Sequence, residues 1–314
     1  MKIGFLFPGQ GSQYIGMGKD LYEKYEVVKK TYHQVEEITG VPVCNLSFEG
    51  DQEELNQTKN TQLCILTMSL AILKVLEQEG IKAEVSTGLS LGEYAALIYS
   101  KALKEEDGIW LIKQRGEYMQ ELAPKGDWQM AAILGMAEEQ VKQACHRVQD
   151  GFVVPVNFNA PGQIVISGEK QAVEEAGNIA QAEGAKKVIL LKTSGPFHTK
   201  KLAMAADALR KDLEKITFYP FETQVVKNMD GKVYKNDDDM VDILAKHIIS
   251  PVRFSDGISQ MLAMGVDTFV EVGPGKTLSG FAKRVKTVEP VNVLGTNSVE
   301  TLQNTINFLK ESIN

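Results

Sequence analysis

A serine between two glycines is the strongest chemical signal in the sequence. Ser90 lies in Gly88-Leu-Ser-Leu-Gly92, which fits the pattern G-x-S-x-G. A strand is predicted over residues 83–87 and a helix over 93–99, and this context makes the short pattern informative. The glycines permit a sharp turn that raises the hydroxyl above a sheet, and the helix start directs N–H groups at a developing oxyanion. These features predict a serine nucleophile; the alternative is a helix start capped by Ser90.

A serine nucleophile needs a base, and the sequence contains only four histidines. His33 and His146 fall inside polar helical stretches and are expected at the surface, while His247 lies on a predicted helix. His198 follows a predicted strand over residues 187–191, in a loop that contains Gly-Pro. A histidine at a strand exit is well placed for general-base catalysis. His198 is therefore the candidate base, and a loop histidine without a role is the alternative.

Two further segments are candidates for substrate contact. Pro8-Gly-Gln-Gly-Ser12 follows the first strand but lacks the lysine of a phosphate-binding loop, so we interpret it as an oxyanion loop that presents the N–H of Gln10. Arg115 lies on a predicted helix over residues 104–122, where the alternative is a solvated arginine paired with a glutamate. No metal site is predicted, because no histidine or glutamate cluster joins Asp237-Asp-Asp239.

Composition limits the class of protein. A chain of 314 residues with 43% hydrophobic and 24% charged residues is typical of a globular protein with about two domains, or one domain with an insertion. The net charge of −7 argues against a general nucleic-acid or anionic-membrane surface. The three cysteines form no CxxC pair, which predicts a reducing cytoplasm without a disulfide framework. No targeting segment or membrane-spanning apolar run is recognised.

The elements that must position these residues form two patterns. Outside the middle of the chain, apolar strands alternate with amphipathic helices, which predicts a parallel α/β sheet. Within residues 126–192 the predicted order is βαββαβ, the ferredoxin-like arrangement. We therefore predict a larger domain made of residues 1–125 and 193–314, with residues 126–192 inserted as a small subdomain. Strands are predicted at residues 3–7, 83–87, 129–134, 152–158, 163–167, 187–191 and 268–272, and helices at 22–39, 61–79, 93–99, 104–122, 138–149, 170–183, 200–215, 241–248 and 255–263.

A set of short motifs in a fixed order resembles one enzyme family. The motifs are Phe7-Pro-Gly-Gln-Gly-Ser-Gln13, Gly88-Leu-Ser-Leu-Gly-Glu-Tyr94, Gln114-Arg-Gly116, Ala131-Ala-Ile-Leu-Gly135, Asn157-Phe-Asn-Ala-Pro-Gly-Gln163, Gly195-Pro-Phe-His198, Ser250-Pro-Val-Arg253 and Glu271-Val-Gly-Pro-Gly275. Together they resemble the malonyl-CoA:acyl-carrier-protein transacylases of bacterial fatty-acid synthesis over nearly the whole chain. The resemblance implies an α/β-hydrolase-like parallel-sheet domain with an inserted ferredoxin-like subdomain.

The resemblance also implies a role for each matching position. Ser90 would be the nucleophile and His198 the general base and acid, in a ping-pong reaction. The N–H groups of Gln10 and Leu91 would form the oxyanion hole. Arg115 would bind the malonyl carboxylate, a role that suits the planar fork of a guanidinium.

The sequence departs from the family's usual pattern at three places. His247 stands where glutamine is common, and its backbone carbonyl would orient the catalytic imidazole in place of a triad carboxylate. Leu89 stands where histidine usually precedes the nucleophile, and there we expect tuning and not loss of activity. Trp128-Gln129 replaces smaller residues, with an expected effect on packing or on the wall of the cleft.

The implied substrate is malonyl-CoA and the implied partner is acyl carrier protein. No cofactor is implied, since the coenzyme A thioester is the substrate and the phosphopantetheine of the carrier protein is the acceptor. A cytoplasmic monomer that contacts neither nucleic acid nor membrane is expected. Alternatives are a malonyl acyltransferase of a polyketide synthase, a serine thioesterase or hydrolase, and a non-catalytic carrier-binding module. Carrier proteins are typically acidic, so a local basic rim is also predicted, with ordinary solvated side chains as the alternative. The rim comprises Lys200, Lys201, Lys276, Lys283, Arg284 and Lys286.

Overall fold

The protein contains one parallel and one antiparallel β-sheet, each covered by helices. A computed structural model describes residues 1–192, 195–285, 287 and 290–313. The strands are β1 (Ile3–Phe7), β2 (Val85–Gly88), β3 (Trp128–Leu134), β4 (Val153–Ala160), β5 (Gln163–Glu169), β6 (Lys187–Leu191), β7 (Gln224–Val226), β8 (Thr268–Glu271) and β9 (Asn292–Gly295). The helices are α1 (Lys19–Lys24), α2 (Glu26–Thr39), α3 (Val43–Phe48), α4 (Gln52–Leu55), α5 (Thr58–Gln78), α6 (Gly92–Tyr99), α7 (Glu105–Glu121), α8 (Glu138–His146), α9 (Lys170–Ala182), α10 (Ala203–Leu213), α11 (Met240–His247), α12 (Phe254–Ala263), α13 (Thr277–Ala282) and α14 (Val299–Ile313).

The parallel sheet has the strand order β7-β2-β1-β8-β9. Its central strand β1 is apolar throughout and buried at every residue, as expected of a strand covered on both faces. Phe7, the last residue of β1, pairs in register with Gly88, the last residue of β2. The segments that leave β1 and β2 therefore emerge side by side at one edge of the sheet, and this edge carries the candidate site.

The antiparallel sheet has the order β4-β5-β3-β6, and α8 and α9 connect its strands. This order is that of a ferredoxin-like βαββαβ unit, so the predicted fold class of parallel sheet plus inserted antiparallel sheet is confirmed. All four strands lie between residues 128 and 191. The domain limits at 125/126 and 192/193 remain predictions, and residue 193 itself lies outside the described residues.

Strand β4 of the antiparallel sheet is joined by backbone contacts to the segment that follows α11, next to the candidate site. The N–H of Val252 donates to the carbonyl of Val156 at 2.8 Å, and the N–H of Phe158 donates to the carbonyl of Val252 at 2.9 Å. Strand β4 is thereby attached to the chain that follows α11. The position of the small sheet relative to α11 is fixed by main-chain hydrogen bonds as well as by side-chain packing.

Helix α5 is buried along almost its whole length. Within the described residues it is the one helix long and apolar enough to cross a membrane, yet 89% of its most apolar window is buried in the protein. A helix that is apolar on all sides is expected where other elements surround it. Burial of this kind is typical of a core helix and accounts for the apolar composition.

Several elements differ from the sequence-based prediction. The helix predicted over residues 22–39 is two helices, because Tyr25 adopts an extended conformation (φ −112°, ψ 122°) between α1 and α2. The helix predicted from residue 200 begins with a 3-10 turn, Lys200–Leu202. Strand β7 was not predicted, since three residues give no measurable alternation. The helices α3 and α4 were missed because their 6 and 4 residues are too few to show a helical period.

Candidate active site

The turn around Ser90 is strained and depends on close backbone approach. Ser90 has φ 55°, in the left-handed region that side chains other than glycine rarely adopt. A Cβ at Gly88 would overlap the carbonyl group of Gly92, and a Cβ at Gly92 would overlap the carbonyl oxygen of Phe7. Both flanking glycines are required for space. The turn raises the serine hydroxyl above the carboxyl ends of β1 and β2.

The hydroxyl of Ser90 lies beside the imidazole of His198. The distance from Ser90 Oγ to His198 Nε2 is 2.9 Å. The other ring nitrogen, Nδ1, lies 3.0 Å from the carbonyl oxygen of His247 and 3.2 Å from that of Ser250. Because two acceptors face Nδ1, this nitrogen carries the proton, and Nε2 is left to accept the serine proton. Backbone carbonyls thus occupy the place that a carboxylate has in a Ser-His-Asp triad.

The environment of His198 keeps its ring neutral. The side chain is 4% exposed. Burial, and after it the charge of Arg115, lowers the pKa of His198 to about 4, although the two carbonyl oxygens oppose this shift. A neutral imidazole at neutral pH is the form that accepts a proton.

The guanidinium of Arg115 is buried in the same site. Its Nη2 donates to Ser90 Oγ at 3.0 Å and its Nη1 donates to Oε1 of Gln62 at 2.5 Å. The side chain is 1% exposed, so the alternative of a solvated helix-surface arginine is wrong. Its Nε has no hydrogen-bond partner among the described residues. Burial lowers the pKa of Arg115, and a buried cation with an unused donor is a candidate binding site for an anionic group.

A cavity of about 120 Å³ opens over these side chains. Both residues predicted for the oxyanion hole, Gln10 and Leu91, contribute to its wall, and Leu91 directly precedes α6. Leu89, which stands where the family usually has histidine before the nucleophile, also lines the cavity. The full lining is Gln10, Gln62, Leu89, Ser90, Leu91, Arg115, Met119, Met130, Asn157, Asn159, Val165, Leu191, Phe197 and His198. Strands β3 to β6 form part of the wall, and loops and helices outside the strands of the parallel sheet form the rest. The site is therefore a cleft between the antiparallel sheet and the elements around the parallel sheet.

His247 lies where the family resemblance put it, at the end of α11. Its backbone oxygen accepts the hydrogen bond from Nδ1 of His198. Its side chain is buried, with Nδ1 3.4 Å from Oε2 of Glu93. The histidine side chain therefore faces a buried carboxylate, an arrangement that no sequence pattern indicated.

Sequence reasoning missed two polar residues that contact the site. Oδ1 of Asn228 accepts the N–H of Ser90 at 2.7 Å, and its Nδ2 donates to the carbonyl of Gly88 at 2.6 Å. Gln62 supports Arg115 from α5. Gln62 follows the polar residues Thr58-Lys-Asn-Thr61 at the start of α5, so its position on the helix gave no signal. Asn228 follows an unpredicted three-residue strand, and no local pattern marked it.

The predicted basic rim is only partly described. Lys200, Lys276, Lys283 and Arg284 are exposed, and Lys286 lies outside the described residues. The Nζ of Lys201 lies 4.9 Å from the ring centroid of Phe152 and 5.8 Å from that of Trp128, so this lysine packs on the small subdomain. Trp128 also donates from Nε1 to the carbonyl of Pro124 at 2.7 Å. Among the described residues, no group of three or more His, Cys, Asp or Glu side chains is arranged to hold a metal ion.

The chain matches proteins of known family over its whole length. The family model for the acyl transferase domain matches residues 4–311. The malonyl CoA-acyl carrier protein transacylase of Bacillus subtilis (strain 168) is 42% identical over 312 residues, which cover 99% of this chain and 98% of the relative. The protein of the same name from Escherichia coli (strain K12) is 42% identical over 286 residues, 90% of this chain and 93% of the relative.

Solved structures agree with these relatives. The malonyl CoA-acyl carrier protein transacylase from Clostridium perfringens superimposes with a TM-score of 0.94 at 41% identity, covering 99% of this chain and 98% of that one. A malonyl-transacylase in complex with a type II PKS acyl-carrier protein has a TM-score of 0.93 at 36% identity, covering 98% of this chain and 100% of that one. Similarity of this extent includes both sheets and the cleft between them. The chain therefore belongs to the acyl transferase domain family, among relatives named malonyl CoA-acyl carrier protein transacylase.

Proposed function

We propose that this enzyme transfers the malonyl group of malonyl-CoA to the phosphopantetheine thiol of acyl carrier protein and thereby supplies fatty-acid elongation. One observation carries the proposal. The Oγ of Ser90 lies within hydrogen-bond distance of both a neutral base, His198, and a buried cation, Arg115. A nucleophile beside a base is suited to acyl transfer, and a buried cation beside it selects an acyl group that carries its own negative charge.

The first half-reaction forms an ester on Ser90. As Oγ attacks the thioester carbonyl, its proton moves to Nε2 of His198. The N–H groups of Gln10 and Leu91 stabilise the oxyanion of the tetrahedral intermediate. The carbon–sulfur bond then breaks, and the coenzyme A sulfur leaves with the proton from His198. The products are malonyl-Ser90 and free coenzyme A.

The second half-reaction repeats these steps with a different thiol. His198 takes the proton of the phosphopantetheine thiol, whose sulfur attacks the malonyl ester. The ester oxygen leaves and recovers the proton as the Ser90 hydroxyl. No electrons are exchanged with any other group, so the chemistry requires neither a metal nor a redox cofactor.

The buried position of Arg115 supports a role in acyl recognition. The unused Nε and the Nη2 now bound to Ser90 lie on one planar group, which matches the two oxygens of a carboxylate. We further propose that the protein acts as a cytoplasmic monomer and that the exposed basic residues on the larger domain contact the acidic carrier protein.

Intact-mass measurement after mixing with malonyl-CoA tests this function. A single malonyl adduct is expected, absent from Ser90→Ala, and addition of acyl carrier protein should remove it with formation of malonyl-carrier protein. Carrier proteins of fatty-acid synthesis and of a type II polyketide synthase should be compared as acceptors. An adduct on another residue, or discharge to water at the same rate with and without a carrier protein, would overturn the proposal.

A further inference from the structure

A second buried carboxylate network lies behind the nucleophile and the base. Glu93 belongs to the first turn of α6, three residues after Ser90, and its side chain is 1% exposed. Its Oε1 accepts from the hydroxyl of Tyr234 at 2.5 Å, and its Oε2 accepts from the backbone N–H of Asn228 at 3.3 Å. A buried acid with these partners is costly to ionise and requires a reason for its presence.

The imidazole of His247 is the third group beside this carboxylate. Its Nδ1 lies 3.4 Å from Oε2 of Glu93, and the ring is 1% exposed. Neither ring nitrogen of His247 has a standard hydrogen bond among the described residues. A buried N–H needs an acceptor, and the carboxylate of Glu93 is the ionisable acceptor beside this ring. The ring centroid lies 5.3 Å from that of His198, at an interplanar angle of 38°.

Glu93 thus contacts both residues that hold the reacting pair. Asn228 binds the N–H of Ser90 and the carbonyl of Gly88 through its side chain. His247 binds Nδ1 of His198 through its backbone oxygen. One carboxylate joins the turn that carries the nucleophile to the helix end that orients the base. Displacement of either partner would change the distance from Ser90 Oγ to His198 Nε2.

We propose that Glu93 is a positioning residue: through Asn228 and His247 its carboxylate fixes Ser90 relative to His198, and in the ionised form it supplies negative charge when His198 becomes an imidazolium. This inference rests on the proposed acyl transfer. The charge matters because the cation Arg115 opposes protonation of His198. A carboxylate behind His247 offsets that repulsion in a site where screening by water is weak.

The surroundings of Glu93 place its ionisation near neutral pH. Burial raises the pKa of Glu93 to about 7, against the lowering effects of the hydrogen bonds from Tyr234 and Asn228 and of two cations. The pKa of His247 is well below its ordinary range because burial and the neighbouring His198 and Arg115 disfavour its charge. The titratable groups that face Glu93 are Tyr94 of its own helix, Arg115 of α7, Lys227 and Tyr234 of the segment after β7, and His247 of α11.

The pKa shifts of His198 and Glu93 predict how the rate of Ser90 acylation depends on pH. Because the pKa of His198 is about 4, the base is already neutral across the range in which Glu93, with a pKa of about 7, loses its proton. An increase in acylation rate through pH 7 that is absent from Glu93→Gln therefore reports on Glu93. Glu93→Gln preserves the shape of the side chain and removes the ionisation.

The decisive experiment combines kinetics with NMR. In rapid-quench measurements with malonyl-CoA, Glu93→Gln should lower the maximal rate of Ser90 acylation roughly tenfold or more, with little change in KM because Glu93 is absent from the cavity wall. The rise in rate through neutral pH should disappear. Glu271→Gln is the matched control, since Glu271 is equally buried and accepts the N–H groups of Leu278 and Ser279 away from the site. Its pH profile should match that of the wild type.

The NMR measurement needs no substrate and so separates this inference from the proposed function. With only four histidines in the chain, each ring signal can be assigned by single His→Gln variants. In the wild type, the ring signal of His247 should move with an inflection near pH 7, the pKa of Glu93, and the inflection should be absent from Glu93→Gln. If Glu93→Gln does not fold, the inference is still tested by the NMR titration of His247 in the wild type and by the pH profile of Ser90 acylation in His247→Gln.

Two results would overturn the inference. A wild-type His247 signal that is flat through neutral pH would show that no charge changes beside it. Equal acylation rates and pH profiles for Glu93→Gln, Glu271→Gln and the wild type would show that the carboxylate has only a structural role. Failure of the wild type to form malonyl-Ser90 would refute the proposed function instead, and the NMR result would still stand.

Discussion

The Nη2 of Arg115 lies 3.0 Å from the Oγ of Ser90. The cation that would bind the substrate carboxylate is therefore a hydrogen-bond donor to the nucleophile itself. Its charge also contributes to the low pKa of His198. A malonyl carboxylate that pairs with this guanidinium would draw it from Ser90 and neutralise its field at the base. An acetyl group would do neither, so acyl selectivity and base strength are linked through one side chain.

This relationship predicts the effect of Arg115→Ala. Malonyl transfer should fall by roughly 30- to 150-fold, which corresponds to about 2–3 kcal/mol for a charge-assisted contact, while acetyl transfer should stay constant or rise. The measurement is the ratio of kcat/KM for malonyl-CoA and acetyl-CoA. Arg210→Ala is the control, because Arg210 pairs with Asp242 near the surface and should leave the ratio unchanged. Equal losses for both acyl groups would assign Arg115 a purely structural role.

We expect the contribution of His247 to orienting His198 to come from its backbone, whose carbonyl oxygen lies 3.0 Å from Nδ1 of His198. His247→Gln should retain most activity at the pH optimum, since the carbonyl remains and the glutamine amide can still donate to Glu93. His198→Ala should lose several orders of magnitude in the rate of Ser90 acylation. Both rates are measured by quench-flow with malonyl-CoA. If the two variants were equally damaged, the imidazole of His247 would have to take part in proton transfer, and the base assignment would need revision.

The predicted basic rim is tested by charge reversal in each of its two sequence segments. Lys200→Glu with Lys201→Glu, or Lys283→Glu with Arg284→Glu, should weaken malonyl transfer to carrier protein and reduce the salt dependence of that step. Acylation of Ser90 by malonyl-CoA should fall much less. Because Lys201 packs on Phe152, Lys201→Glu should also lower the stability of the protein slightly. Unchanged carrier-protein kinetics and salt dependence in both double variants would place the docking surface elsewhere.

Acid should destabilise the protein in part through His198. Its pKa is lowered from 6.5 to about 4 in the folded protein, so the stability that comes from the neutral ring is present above pH 6.5 and is lost as the pH falls toward 4. The wild type should lose on the order of 3 kcal/mol more than His198→Gln across that window. Urea unfolding at a series of pH values measures the difference. Parallel curves for the two proteins would contradict the lowered pKa.

The close approach of Gly92 to β1 predicts a severe packing defect in Gly92→Ala. The added methyl would meet the backbone oxygen of Phe7, which cannot move without disturbing the sheet, and we expect a loss of about 1–3 kcal/mol together with lower acylation. Gly280→Ala in α13 is the matched control, because nothing lies within 4 Å of the new Cβ, and it should be neutral or stabilising. Thermal unfolding of the two variants is the measurement, and a stable, fully active Gly92→Ala would contradict the tight contact between α6 and β1.

The sequence by itself predicted the fold class, the family and candidate site residues that include Ser90, His198 and Arg115. The fold class follows from apolar strands that alternate with amphipathic helices, and Ser90 from glycines around a turn. The family and the role of Arg115 follow from motifs in a fixed order. The ferredoxin-like insertion was predictable because each of its elements is long enough to show a period. The number of candidates for the base was also small, because the sequence contains only four histidines.

Only the tertiary structure decided what surrounds those residues. Arg115 is buried against Gln62, 53 residues away in the sequence, and the Ser90 turn is supported by Asn228, 138 residues away. No periodicity or spacing encodes such contacts, which depend on how helices and strands from distant parts of the chain pack together. The same packing excludes water, and this exclusion, more than residue type, determines the pKa values of His198 and Glu93.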